Sequence, residues 1–185
     1  MVQWQRVGDT SETKSGWRIV TRKNYRFPNG KEFPFDVIGR EGDASAAIIA
    51  LTPDDQMILS EQYRPGPDMS MYELPGGFVD KGEDPKEAVV RELLEETGYK
   101  PARVVFLGNI HKEAYLHLKM HYYVGYDCVK VAEPQIEETE YIEVRKLHIG
   151  EFLEAAKRGE TTDTPAAFLA YDLLRDIQKK AETKI

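Results

Sequence analysis

Residues 77–99 read GFVDKGEDPKEAVVRELLEETGY, and this stretch decides the fold because it holds one amphipathic helix with both ends marked. Asp84 followed by Pro85 predicts the start, since Asp84 can accept hydrogen bonds from free backbone amides and proline suits the first helical position. Gly98 predicts the end as a left-handed C-terminal cap. The segment therefore predicts a helix over about residues 85–97.

Three glutamates share one face of that helix. Glu92, Glu95 and Glu96 lie three and four positions apart, and an α-helix turns about 100° per residue. Like charges at this spacing destabilise a bare helix by roughly 0.2–0.5 kcal/mol per pair. A divalent cation bound between the carboxylates would turn this repulsion into a net attraction. Ligand sets made only of oxygen suit hard ions such as Mg²⁺ or Mn²⁺. The spacing predicts a metal site that helps a net-acidic protein to bind a diphosphate.

Neighbouring residues could support such a site. Arg91 lies beside Glu95 on the helical wheel and can hold a carboxylate through its planar guanidinium group. Gly76 and Gly77 allow backbone angles closed to other residues, so the Gly76 carbonyl could point at the metal. A solvated acidic helix face is the alternative interpretation of the same run.

Composition limits the class of protein. The 185 residues include 25 Lys and Arg against 32 Asp and Glu, a formal net charge of -7. This acidic balance argues against nucleic-acid and membrane partners, because phosphate backbones bind clustered basic residues. The one cysteine, Cys128, cannot form an internal disulfide. The sequence has no bilayer-length apolar stretch and no apolar signal-peptide core, so we expect a cytoplasmic protein.

The order of elements predicts the architecture. Two strand-like segments, 16–26 and 31–40, flank a Pro-Asn-Gly hairpin signal and predict an antiparallel β arm over residues 1–43. Strands, the acidic helix, more strands and two closing helices, the last over about residues 165–180, fill residues 44–185. This mixed order predicts an α/β sandwich with a mixed sheet rather than a doubly wound parallel sheet.

Residues 77–99 resemble the Nudix box of the Nudix hydrolases. They match a glycine, five residues, a glutamate, seven residues, Arg-Glu, an aliphatic, any residue, Glu-Glu, any residue, glycine and an apolar or aromatic residue. The resemblance implies the Nudix α/β/α sandwich and the hydrolysis, with Mg²⁺ or Mn²⁺, of a nucleoside diphosphate linked to another group. Metal binding is implied for Glu92, Glu95, Glu96 and the Gly76 carbonyl, a catalytic role for Glu95 and Arg91, and a supporting role for Glu83 and Gly77.

Features outside the box resemble the ADP-ribose pyrophosphatase and nucleotide-sugar branch. Arg64, on a strand before Glu73-Leu74-Pro75-Gly76, would meet the substrate phosphate, with Glu73 also in the substrate site. An acidic loop over residues 133–144 would supply a catalytic base. We assign the base to Glu138 and an additional metal ligand to Glu140, with Glu137 as the main rival; a solvated acidic turn is the alternative.

The β arm carries the third such feature. In this branch the arm is exchanged across a homodimer and helps to build the nucleoside pocket. Base-stacking candidates are Tyr25, Phe27, Phe33 and Phe35, although aromatic strand residues more often belong to a core.

One departure weakens the case for ADP-ribose itself. Residues 109–120 lack the Ser-Pro-Gly-like loop usual in that branch, which favours a broader or different nucleotide sugar; His111 could line its distal phosphate or sugar. The expected reaction is hydrolysis of ADP-ribose or a related nucleoside diphosphate sugar to a nucleoside monophosphate and a sugar phosphate. The alternatives are a diadenosine polyphosphate or nucleoside triphosphate hydrolase and a non-catalytic nucleotide-binding module.

Overall fold

The computed structural model describes residues 3–136 and 141–183. The chain divides into two compact units. The first comprises the residues up to Ala44 together with Ile110–Met120, and the second comprises Ser45–Asn109 and the residues from His121 onward. Within the described ranges, no helix has the length and apolar character needed to span a membrane.

The first unit contains a three-stranded antiparallel sheet, in the order β1 (Gln5–Ser15), β2 (Arg18–Arg26) and β3 (Glu32–Ile38). The predicted β2–β3 hairpin is present, and Gly30 adopts a positive φ of 80° in its turn. The strand β1 was not predicted, because its sequence QRVGDTSETKS is polar and nearly all exposed, without the apolar alternation that marks a half-buried strand.

A seven-stranded sheet forms the centre of the second unit. Its strands are β4 (Ala44–Leu51), β5 (Gln56–Arg64), β6 (Met69–Glu73), β7 (Gly76–Phe78), β9 (Arg103–His111), β10 (Lys119–Tyr126) and β12 (Glu143–His148). The order is β12-β5-β4-β10-β9, with β6 paired to β5 and β7 paired to β4. A separate pair joins β8 (Tyr99–Lys100) to β11 (Val129–Lys130). The helices are α1 (Pro85–Thr97), α2 (Ile149–Arg158), α3 (Thr164–Leu169) and α4 (Tyr171–Glu182).

The core of the second unit lies on both faces of this sheet. Val89 and Leu93 of α1 share a buried cluster with residues of three strands, namely Ala46, Ile48, Ala50, Ile58 and Tyr123. The alternate residues of β4, Ala47, Ile49 and Leu51, point to the opposite face and are also buried. The α/β class and the N-terminal antiparallel arm are therefore confirmed.

The predicted final helix is two helices. Ala170 lies between α3 and α4 with φ -96° and ψ 3°, which interrupts the helical path. Small side chains, Ala166, Ala167 and Ala170, are buried here, whereas Phe168 is 83 % exposed. The buried side chains of α3 are therefore alanines, whereas α4 buries the large side chain of Leu174.

Candidate active site

The acidic helix α1 begins and ends where its sequence predicts. Asp84 Oδ1 accepts a hydrogen bond of 2.7 Å from the Lys86 amide, and Pro85 occupies the first helical position. Gly98 has φ 76°, and its amide donates to the Leu94 carbonyl at 2.8 Å. A side chain at residue 98 would also collide with a carbonyl oxygen 2.0 Å away. Local capping thus fixes the span of the helix that carries the three glutamates.

The three glutamates line one open cleft in the second unit, with a volume of about 360 Å³. Its walls come from the glycine strand β7, from α1 and from the segment after β11. The lining residues are Gly76, Gly77, Phe78, Asp80, Arg91, Glu92, Glu95, Glu96, Gln135 and Ile136. The structure therefore brings most of the residues predicted from the box to a single surface.

At both glycines of β7 an added side chain would collide with a neighbouring group, which is backbone at Gly76 and the end of a side chain at Gly77. A Cβ atom on Gly76 would lie 2.2 Å from the Ala46 carbonyl oxygen of the neighbouring strand β4. A Cβ atom on Gly77 would lie 2.5 Å from Oε1 of Glu92. The Glu92 carboxylate thus occupies space that any other residue at position 77 would fill.

Arg91 joins the acidic side chains of the cleft. Its guanidinium donates to Glu83 at 3.1 and 3.2 Å, to Glu92 Oε1 at 2.8 Å and to Glu95 Oε2 at 3.0 Å. The hydrogen bonds to Glu83 are the largest cause of the raised pKa of Arg91, with further contributions from Glu92 and Glu95. In turn, the bonds from Arg91 and from the Asp80 amide lower the pKa of Glu83. Arg91 therefore stays charged and holds several carboxylates in place.

Glu96 is held from the other side, by the sheet. It is 8 % exposed, and its Oε2 accepts a 2.7 Å hydrogen bond from the hydroxyl of Ser60 on β5. The sequence interpretation missed Ser60. The available signal was a polar residue two positions after the buried Ile58, on the same face of the strand.

The donor set matches a hard divalent cation in chemistry. Three carboxylates and the backbone of Gly76 face one cleft, and all are oxygen donors. Across residues 3–136 and 141–183, however, no three acidic, histidine or cysteine side chains stand close enough together to hold a metal ion. Arg91 holds Glu92 and Glu95, and these two partly exposed side chains can rotate about single bonds toward the buried Glu96. The residues therefore fit Mg²⁺ or Mn²⁺ in the chemistry of their oxygen donors. Binding would require the carboxylates to move closer to one another.

The two predicted substrate residues outside the box bind each other. Arg64 and Glu73 form a two-point ion pair between β5 and β6, and Gln62 donates to the same carboxylate at 3.4 Å. Ser60 is the cross-strand partner of Glu73, so both side chains leave the same face of the sheet. Gln62 and Arg64 follow on that face by strand alternation. Arg64 and Glu73 thus lie on the same face of the sheet as Ser60, whose hydroxyl contacts Glu96. They are not among the described residues that line the cleft.

The buried carboxylate of Asp163 binds the backbone of the segment that leads into β7. Asp163 Oδ2 accepts a 3.0 Å hydrogen bond from the Leu74 amide, two residues before Gly76. The Tyr122 hydroxyl donates to Asp163 Oδ1 at 3.3 Å. Burial, followed by the charge of Asp163, raises the pKa of that tyrosine. Sequence reasoning gave no role to Asp163, because its partners are distant in the chain.

The first part of the acidic loop, before residue 137, lines the same cleft. The Gln135 amide donates to the Glu95 carbonyl at 2.7 Å, and Gln135 and Ile136 line the cleft. The candidate base Glu138, its rival Glu137 and the additional ligand Glu140 lie outside the described residues.

The predicted base-stacking residues lie in the first unit, where they pack against one another. Phe27 contacts Trp4 and Phe33 at centroid distances of 4.4 and 5.2 Å, and Phe35 contacts Trp4 at 5.2 Å. Tyr25 meets Phe35 edge-on at 6.0 Å. Trp4 was missed because it precedes the predicted strands. His111 also belongs to this unit and is exposed.

Comparison with known proteins identifies the family. The NUDIX domain matches residues 42–167 of the chain. A methanol dehydrogenase activator from Bacillus methanolicus is 30% identical over 139 residues, which cover 74% of each protein. An ADP-ribose pyrophosphatase from Bacillus subtilis (strain 168) is 24% identical over 148 residues, 79% of each protein.

A solved structure shares the fold. A crystal structure described as an ADP compounds hydrolase has a TM-score of 0.79 to this chain at 23% identity, and the match covers 95% of this chain and 97% of that one. The domain match and the related sequences define the class of protein as a pyrophosphate hydrolase. The chain belongs to the Nudix family, and ADP-ribose pyrophosphatases are among its relatives. The family expected from the box is therefore confirmed, together with its fold.

Proposed function

We propose that the protein hydrolyses the pyrophosphate bond of ADP-ribose or a related nucleoside diphosphate sugar. The products would be a nucleoside monophosphate and a sugar phosphate, and the reaction would require Mg²⁺ or Mn²⁺. The observation that carries this proposal is the single cleft in which Glu92, Glu95 and Glu96 line one surface with Arg91 and the glycine strand. The similarity to the ADP-ribose pyrophosphatase supports the choice of substrate class.

The carboxylates of α1 would hold the cation. Glu92, Glu95 and Glu96 supply side-chain oxygens, the Gly76 carbonyl supplies a backbone oxygen, and Glu140 adds a further carboxylate in this proposal. When bound, the ion would neutralise diphosphate oxygens and acidify the attacking water. A protein with a net charge of -7 needs such a positive contribution to bind a diphosphate.

Other residues would position the reacting groups and move the proton. Arg91 orients Glu92 and Glu95 through its hydrogen bonds, and Glu83 fixes Arg91 in turn. Glu138 accepts the proton of the attacking water; Gln135 and Ile136, just before it in the chain, line the cleft, which supports this choice. Arg64 binds a substrate phosphate by exchanging part of its ion pair with Glu73 for phosphate oxygens.

The roles of the first unit are also proposals. Tyr25, Phe27 and Phe35 would offer aromatic faces to the nucleobase, and His111 would approach the distal phosphate or sugar. The packing of these three rings on Trp4 and on one another supports the core interpretation as well. Exchange of the arm in a homodimer and a cytoplasmic location remain predictions from the sequence.

A substrate panel tests the proposed reaction. Turnover is measured with ADP-ribose, UDP-glucose, GDP-mannose, diadenosine polyphosphates and deoxynucleoside triphosphates, each with Mg²⁺ or Mn²⁺ and with EDTA as the metal-free control. We expect the highest kcat/KM for a nucleoside diphosphate sugar, with a nucleoside monophosphate among the products, and no turnover in EDTA. A preference for diadenosine polyphosphates or triphosphates would overturn the substrate class. No turnover of any compound would favour a nucleotide-binding module.

A further inference from the structure

The carboxylate of Glu96 is the most enclosed of the three on α1. Glu96 is buried, whereas Glu92 and Glu95 are partly exposed. A buried carboxylate loses its hydration, and hydrogen-bond donors must replace the lost water. The hydroxyl of Ser60 is such a donor, at 2.7 Å from Oε2.

The position of Glu96 in the helix makes a donor from outside the helix important. Glu96 is the second-last residue of α1, where unpaired backbone carbonyls carry partial negative charge. The helix end therefore disfavours a carboxylate. The compensating hydroxyl comes instead from the sheet packed beneath the helix.

Ser60 lies on a rigid part of that sheet. It is 1 % exposed and sits on β5 between two partner strands, with Val144 opposite on β12 and Glu73 opposite on β6. Its backbone is thus paired on both sides, and its hydroxyl points into the space beneath α1 that Glu96 occupies. The hydrogen bond limits rotation of the carboxylate about its terminal bond, which is otherwise a broad torsion.

We propose that Ser60 is a positioning residue that orients the Glu96 carboxylate for divalent-cation binding. The inference rests on the proposed function, because it takes Glu96 as a ligand. Replacing a residue that hydrogen-bonds a metal ligand typically lowers metal affinity or activity about 10- to 100-fold. Ser60 acts through Glu96 and does not itself touch the cation or the substrate.

The test is Mn²⁺ binding to the full chain without substrate, measured by electron paramagnetic resonance of the free ion. We expect Ser60→Ala to raise the Kd for Mn²⁺ roughly tenfold or more, with turnover recovering toward that of the parent at saturating Mn²⁺. Ser60→Thr keeps the hydroxyl and should keep the parent affinity. Thr52→Val is the matched control, because Thr52 is buried in the same β4–β5 hairpin and its hydroxyl bonds the Gln56 backbone away from the cleft.

The outcomes separate this inference from the proposed function. If the parent binds Mn²⁺ and Ser60→Ala binds it equally well, Ser60 has no positioning role although the enzyme assignment stands. If the parent neither binds Mn²⁺ nor hydrolyses any compound in the panel, both proposals fail together. If Ser60→Ala does not fold, Ser60→Thr and Ser60→Val are compared instead, since they match in volume and differ by the hydroxyl; equal Mn²⁺ affinity in that pair overturns the inference.

Discussion

The Glu92 carboxylate lies directly against the backbone of Gly77. A Cβ atom at residue 77 would be 2.5 Å from Oε1 and 2.6 Å from Cδ of Glu92. The strand that carries Gly77 cannot withdraw, because it is paired to β4 with Ala46 opposite Gly77. The missing side chain at residue 77 is therefore what lets a helix residue and a strand meet at the cleft.

Replacing Gly77 by alanine should displace Glu92 and reduce kcat/KM by about 10²-fold, since misplacement of a catalytic group by about 1 Å has costs of this size. Steady-state kinetics and thermal unfolding would be measured together. Gly66→Ala is the control, because a side chain at residue 66 meets nothing within 4 Å. Parent activity in Gly77→Ala would show that the position of Glu92 does not matter for turnover.

Replacing Glu95 by glutamine should abolish turnover with little loss of folding stability, because it removes a proposed ligand at constant volume. The side chain of Glu95 is 45% exposed, so loss of its ion pair with Arg91 should cost at most about 1 kcal/mol in the free energy of unfolding. Activity and urea unfolding give the two measurements. Glu87→Gln, an exposed residue in the first turn of the same helix, should leave activity unchanged and should cost at most about 1 kcal/mol, because it removes a charge near the helix N-terminus. Retained activity in Glu95→Gln would refute the metal site.

Replacing Glu138 by glutamine should lower kcat by about 10²-fold or more if this residue is the general base. The pH dependence of kcat should also lose its acidic limb, because glutamine does not titrate. The control is Glu133→Gln in the same acidic loop, since Glu133 is exposed and pairs with Lys130. An unchanged rate in Glu138→Gln would move the role to Glu137, Glu140 or a residue of the box.

The thiol of Cys128 should be inert in the folded protein. Burial raises its pKa from 9.0 to about 12, so the reactive thiolate should be about 10³-fold rarer at pH 8 in the folded chain than in the unfolded chain. Labelling with iodoacetamide, with and without guanidinium chloride, measures the difference, and Cys128→Ala gives the background. Comparable labelling of the two states at pH 8 would contradict the burial.

The same shift predicts a loss of stability at high pH. Between about pH 9 and pH 12 the unfolded chain releases the Cys128 proton and the folded chain keeps it. The unfolded state then binds fewer protons, so this group lowers the free energy of unfolding as the pH rises. Urea unfolding of the parent and Cys128→Ala over this range isolates the contribution; parallel curves would contradict it.

The arm predicts a homodimer. The expected mass by light scattering is about twice the chain mass of 21.2 kDa. The resemblance to the branch supports this expectation, and Trp4 and Phe33 leave about half of their surface exposed in the first unit. A measured mass near that of one chain would contradict the predicted dimer.

Local features were readable from the sequence. The caps Asp84 and Gly98 fix α1 through contacts within a few residues, and the spacing of Glu92, Glu95 and Glu96 fixes their common face. The Pro-Asn-Gly turn likewise predicts the β2–β3 hairpin. By contrast, β1 has no apolar alternation, and no glycine or proline marks the break at Ala170, so neither follows from the sequence pattern.

The sequence alone determined the family, the acidic helix and the glutamates that face one way, because these depend on neighbours along the chain. Only the tertiary structure decided what holds those glutamates. Ser60 and Glu96 are 36 positions apart, and Leu74 and Asp163 are 89 apart. Such pairs meet only when strand register and helix packing are set, since a shift of one residue in a strand would turn Ser60 away from Glu96.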